Sequence, residues 1–149
     1  MKLYIGADHN GYHLKSQVVS YLKNRNFDII DEGDETLNPD DDFTVFASRV
    51  VHAMKSSEDN DARGILICGS GQGMAMAANR FAGIRAGVGW SVDAAKGVRR
   101  DEDSNILALP ASVLTDDQQW QEIIDIWLNT PFENAERFRR RNRQLDELR

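Results

Sequence analysis

Residues able to move protons or hold anions gather in two short stretches of this sequence, Asp8-His9-Asn10-Gly11 and Cys68-Gly69-Ser70-Gly71-Gln72-Gly73. Carboxylate, imidazole and thiol together offer a hydroxyl acceptor, a proton shuttle and a base or nucleophile. Glycines that follow a strand let backbone N–H groups converge where they hold a phosphate or a developing oxyanion. The second stretch does not fit the G-x-G-x-x-G pattern of dinucleotide sites and has no Walker lysine, which argues against NAD and ATP. Cys68 is the only cysteine, so it forms no internal disulfide and no cysteine-based zinc cluster; it is either a small buried hydrophobe or a reactive thiol. His9 is an anion ligand, a proton shuttle or a hydrogen-bonded turn residue, and Asp8 is a hydroxyl ligand or a helix cap. Arg137 and Arg141, one helical turn apart, form either a phosphate clamp or a salt-bridged face. His13, His52 and the tryptophans read as surface or core residues.

Both stretches directly follow apolar runs, Leu3-Tyr4-Ile5-Gly6-Ala7 and Gly64-Ile65-Leu66-Ile67-Cys68, the second β-branched and without alternation. Such a run suits a parallel strand covered on both faces. Helical periodicity follows each: Leu14, Val18, Val19 and Leu22 after the first, and Met74 to Asn79 after the second. Further strands are predicted at Phe27 to Ile30, Ile84 to Val88 and Asn105 to Leu109. Helices are predicted from Phe43 to Met54, from Val92 to Arg100, and after Thr115-Asp116-Asp117 through Trp120, Ile123, Ile124, Trp127 and Leu128. Alternating β and α units indicate an α/β, Rossmann-like, doubly wound parallel sheet of about five strands in a single domain spanning residues 1–149. In such sheets ligands collect at the carboxyl ends of the strands, where both stretches fall. The last helix, rich in arginine and poor in apolar residues, has little to pack on its own core, and we expect it to reach a partner subunit.

A length of 149 residues suits one core, and 41% hydrophobic with 28% charged residues is ordinary globular composition. No apolar run approaches a membrane span and the start lacks the pattern of a signal peptide, so we expect a cytoplasmic protein without membrane partners. A net charge of −6 argues against nucleic acid, because backbone-tracking surfaces are basic. The charge is uneven, with Asp31 to Asp42 strongly acidic and Arg137 to Arg143 strongly basic.

Asp8-His9-Asn10-Gly11-Tyr12-His13-Leu14-Lys15, Ile65 to Gly73, Ala77-Ala78-Asn79-Arg80-Phe81-Ala82-Gly83-Ile84-Arg85-Ala86 and Ser104-Asn105-Ile106-Leu107-Ala108 together resemble the ribose-5-phosphate isomerase type B and galactose-6-phosphate isomerase family. The resemblance implies an aldose–ketose isomerase that acts on a sugar phosphate through an enediolate. It implies no metal and no cofactor, and a homodimer, with a tetramer left open, whose sites lie between subunits. Carried over, Cys68 is the base that moves the proton between C1 and C2 and Ser70 assists. Gly69, Gly71 and Gly73 offer N–H groups to the enediolate oxygen. Asp8 binds a sugar hydroxyl, while His9, Arg137 and Arg141 bind the phosphate. One branch of the family uses a glutamate where this chain has Met74, which makes this a cysteine-type member.

The chain departs from the family pattern at three places. The His-Asn pair before the Asn105 strand, whose histidine opens the furanose ring, is Asp101-Glu102 here. An arginine after that strand is Ser112, and an aromatic-proline pair is Phe43-Thr44. Asp101 and Glu102 would repel a phosphate unless they meet sugar hydroxyls or one of them is protonated. The readings left open are isomerisation of ribose 5-phosphate, isomerisation of another sugar phosphate that needs no ring opening, and a non-catalytic sugar-phosphate-binding subunit.

Overall fold

The strands run parallel, and the three interior ones are buried on both faces, which is why their hydrophobicity does not alternate. In the computed structural model, which describes residues 1–148, they are β1 (Lys2–Ala7), β2 (Asp28–Asp31), β3 (Arg63–Cys68), β4 (Ala86–Val88) and β5 (Ile106–Pro110). They form one sheet in the order β2-β1-β3-β5-β4, with every pairing parallel. The helices between and after them are α1 (Tyr12–Lys23), α2 (Phe43–Lys55), α3 (Gln72–Ala78), α4 (Val92–Glu102), α5 (Asp117–Asn129) and α6 (Glu136–Glu147). The expected α/β, doubly wound sheet is the observed one, with element ends shifted by a residue or two.

Alternate residues of each strand enter different cores. Leu3, Ile5, Ile65, Ile67, Leu107 and Leu109 meet Val18 and Leu22 of α1 and Ile123, Ile124 and Trp127 of α5. Tyr4, Leu66, Cys68, Ile106 and Ala108 meet Phe46, Val50 and Val51 of α2 and Met74 of α3. Polar atoms within these cores are paired where it matters: Trp127 Nε1–H donates to the hydroxyl of fully buried Ser104 at 2.8 Å. Helix starts also follow local chemistry. The Asp116 carboxylate accepts from the N–H groups of Gln118 and Gln119, and Ser91 Oγ accepts from Ala94 N–H.

The expectation for the last helix needs correction in part. Phe138 and Asn142 of α6 are buried, Arg85 pairs with Asp146 at 3.3 Å, and α6 packs against α4. Phe138 and Asn142 seat it on its own chain, although Leu145 and Leu148 remain 47% and 75% exposed.

Candidate active site

The strand order reverses direction between β1 and β3, and at such a switch point the following loops part and leave a crevice. Asp8 N–H donates to the Ile67 carbonyl at 3.2 Å, so the two predicted stretches sit side by side at the ends of adjacent strands. The contact is close: a Cβ at Gly11 would lie 2.3 Å from the Ile67 carbonyl oxygen. Only glycine lets α1 start this near to β3.

Cys68 is 5% exposed at the end of β3. Gly71 takes φ +72°, a left-handed turn that directs its N–H at Cys68 Sγ, 3.2 Å away. Gln72 N–H donates to Ser70 Oγ at 3.3 Å. Among the described residues, the N–H groups of Ser70 and Gly73 have no protein acceptor, which leaves donors for a ligand oxygen. Gly69 is fixed from its carbonyl side, accepting both the N–H of Ser112 at 3.0 Å and its hydroxyl at 2.5 Å. The Phe43 ring lies against Gly73, 3.1 Å from where a Cβ would stand.

Asp8 is 5% exposed, and one of its carboxylate oxygens accepts from Gly11 N–H at 3.1 Å. Burial pushes its carboxyl above the ordinary range, against the pull of that N–H group. Next to it, His9 Nδ1 lies 2.6 Å from Asp41 Oδ1, and the same oxygen accepts His9 N–H at 3.0 Å. The hydrogen bond to Asp41 raises the His9 imidazole above its ordinary range. Asp8, His9 and Asp41 bring ligand atoms within 4.8 Å of one another, a spacing that a metal would accept. His9 and Asp41 are, however, already engaged with each other.

The remaining predicted residues lie elsewhere in the subunit. Helix α4 returns to the amino end of the strands and ends at Glu102, just before β5 begins beside Gly64. Gly64 and Cys68 are four strand steps apart, about 13 Å. Asp101 and Glu102 share a cavity of about 340 Å³ with Phe138, Arg141 and Asn142 of α6. Arg100 grips Asp101 with two bonds of 2.6 and 2.9 Å and holds its carboxyl below the ordinary range. Glu102 goes the other way, raised by burial and then by the neighbouring Asp101 charge. The structure therefore brings together Asp8, His9, Cys68, Gly69, Ser70, Gly71 and Gly73, and separately Asp101, Glu102, Arg137 and Arg141. Within one subunit it does not join the groups.

A cavity of about 500 Å³ adjoins the glycine loop at Ser70 and is walled by Met76, Trp90, Pro110, Ser112 and Val113. Met76, Trp90 and Val113 are 71%, 59% and 55% exposed, an apolar patch beside the loop.

A sequence profile of the ribose/galactose isomerase family matches residues 3–145. The chain belongs to the ribose/galactose isomerase family. Ribose-5-phosphate isomerase B of Escherichia coli is 37% identical over 134 residues, covering 90% of this chain and 87% of that protein. The enzyme of the same name from Mycobacterium leprae is 33% identical over 141 residues, covering 95% and 85%. The crystal structure of the Thermotoga maritima family member superposes with a TM-score of 0.91 at 36% identity, covering 99% of this chain and 98% of that one. The Mycoplasma genitalium ribose-5-phosphate isomerase B, solved with bound ribulose 5-phosphate, gives a TM-score of 0.90 at 32% identity over 97% of this chain and 93% of that one. The five-stranded sheet is thus the fold of this family. Sequence reasoning missed Asp41, which stands inside an acidic run that reads as solvent-facing.

Proposed function

We propose that this family member is a sugar-phosphate aldose–ketose isomerase in which Cys68 is the base. The observation that carries the reading is Cys68, with the Gly71 N–H on its sulfur, at the end of the strand beside Asp8 and His9. Cys68 as thiolate takes the proton from C2 of the open-chain aldose. The C–H electron pair forms the C1=C2 bond, and the carbonyl oxygen becomes the enediolate oxyanion. Free N–H groups of Ser70 and Gly73 offer that oxygen hydrogen bonds, and Ser70 assists with its hydroxyl. The C2 hydroxyl proton passes to the C1 oxyanion by way of the Ser70 hydroxyl, and the Cys68 proton returns to C1 as the C1=C2 pair shifts, which leaves the carbonyl at C2 and gives the ketose. Asp8 binds a sugar hydroxyl and His9 a phosphate oxygen. No step calls on a metal or a cofactor.

The site is completed by a second copy of the chain, in our reading, as a homodimer of single-domain subunits. Arg137, Arg141, Asp101 and Glu102 of one copy meet Cys68 of the other, and the exposed Met76, Trp90 and Val113 beside the glycine loop give the second copy an apolar seat. Asp101, neutralised by Arg100, and Glu102, raised by burial, repel a phosphate less than two free carboxylates would. Each contacts sugar hydroxyls. Ribose 5-phosphate is the first candidate substrate. A shorter sugar phosphate that does not cyclise is the second, favoured by a carboxylate pair where the family's ring-opening histidine stands.

The test is exchange of the C1 and C2 protons with deuterated water, followed by NMR, for ribose 5-phosphate and erythrose 4-phosphate. We expect turnover of one of them, falling by roughly 10²–10⁴-fold in Cys68→Ala. Binding of both without exchange in the wild type would overturn the enzyme and leave a sugar-phosphate-binding subunit.

A further inference from the structure

The acidic stretch from Asp31 to Asp42 is not a uniformly solvated charge run. Its first part is tied to α1, where Lys15 Nζ, its side chain 5% exposed, donates to Asp31 Oδ1 and Oδ2 at 2.9 and 2.8 Å and to the Asp34 carbonyl at 3.2 Å. Tyr12 Oη donates to the Glu35 carbonyl at 2.7 Å. So anchored, the loop returns over the end of β1 and buries one carboxylate, the Asp41 side chain at 8% exposure, against His9.

One oxygen of Asp41 accepts from two donors of the same residue, His9 N–H at 3.0 Å and Nδ1 at 2.6 Å. Two bonds to one acceptor fix the imidazole relative to its own backbone. With Nδ1–H committed to the carboxylate, Nε2 is left on the far side of the ring, where Asn10 Nδ2 lies 3.1 Å away. A histidine backed by a carboxylate has its tautomer set and its protonated form stabilised.

We infer that Asp41 is a positioning residue for the reaction, orienting His9 so that Nε2–H is presented to the substrate phosphate. This rests on the reading of His9 as a phosphate ligand. The imidazolium and Asp41 cancel in net charge, so the pair supplies a directed, charge-assisted hydrogen bond rather than a surplus cation. Net positive charge for the phosphate falls to Arg137 and Arg141. Asn10 Nδ2 donates to Nε2 when the imidazole is neutral, and once the ring is charged its Nε2–H is left for the phosphate. The charged groups facing His9 are Asp8 from the β1 turn and Asp40 and Asp41 from the loop; all three favour the imidazolium, and partial burial opposes it.

Asp41→Asn keeps an acceptor of nearly the same shape and removes the charge. We expect NMR titration of the His9 ring nitrogens to show its midpoint falling toward the ordinary histidine range. Above that range the Kd of inorganic phosphate and the KM of the substrate rise roughly tenfold, while kcat stays within about twofold. The defect shrinks as pH falls and His9 becomes protonated in both proteins. A merely structural loss would weaken binding equally at every pH and leave the His9 midpoint in place. An unchanged midpoint, or a KM ratio that does not vary with pH, would overturn the inference. Wild type that turns over no sugar phosphate would instead remove the isomerase reading, while the His9 titration still decides the role of Asp41.

Discussion

Replacing Gly71 by alanine should damage the fold and the chemistry by separable amounts. Gly71 sits at φ +72°, where a Cβ meets its own carbonyl, a strain of about 1–2 kcal/mol. The added methyl would also lie 3.2 Å from Pro110 N, 3.3 Å from Leu109 C and 3.2 Å from Val88 Cγ1. Two of those atoms belong to the backbone of interior strand β5, which yields little, so overpacking adds about 1–2 kcal/mol. Gly83 is the control, having φ +79° and nothing within 4 Å of its Cβ position. Gly83→Ala should lower Tm by about 3–6 °C and leave kcat alone, whereas Gly71→Ala should lower it by about twice as much. Because the Gly71 N–H lies on Cys68 Sγ at 3.2 Å, pushing the loop off β5 also turns that donor away. We expect kcat for proton exchange to fall by at least about tenfold at a temperature where the variant is fully folded. Differential scanning calorimetry beside NMR exchange separates the effects. Equal Tm losses for both variants, with kcat of Gly71→Ala unchanged, would refute the claim that this turn organises the cysteine.

Asp8→Asn should stabilise the protein at neutral pH while weakening exchange. A carboxyl whose folded pKa lies above its ordinary 3.8 contributes its stability at low pH and loses it as pH rises through the folded value. The variant therefore gains over wild type at pH 7, and the gain vanishes below pH 3.8; urea midpoints that diverge as pH falls would contradict it. Lys15→Met removes the cation that ties down the acidic loop and should cost about 2 kcal/mol in urea unfolding. It should also raise KM through the loosened Asp41, and an unchanged KM would mean that the Asp41 end holds its place without the Lys15 anchor.

How much of this was legible depends on how far apart in the chain the interacting groups stand. The strand, turn and helix around Cys68 are written in neighbours: β-branched residues, then glycines, then helix formers. That local grammar put Cys68, Ser70 and Gly71 at a strand end before any coordinates. The same holds for Asp8 and His9, and for the start of α5 at Asp116. The seating of α6 was not legible, because the burial of Phe138 and Asn142 depends on where the end of α4 happens to lie. Asp41 was hidden among similar acids, and only a loop pinned by Lys15 decides which of them meets His9.

The sequence by itself determined the order of strands and helices, the family, and the chemical types at two strand ends, since each is fixed by residue spacing within one β–α unit. Tertiary structure alone decided that Asp101, Glu102, Arg137 and Arg141 stand at the opposite end of the strands from Cys68. Helix α4 runs antiparallel to the strands, and its length carries whatever stands at its end to the far side of the molecule.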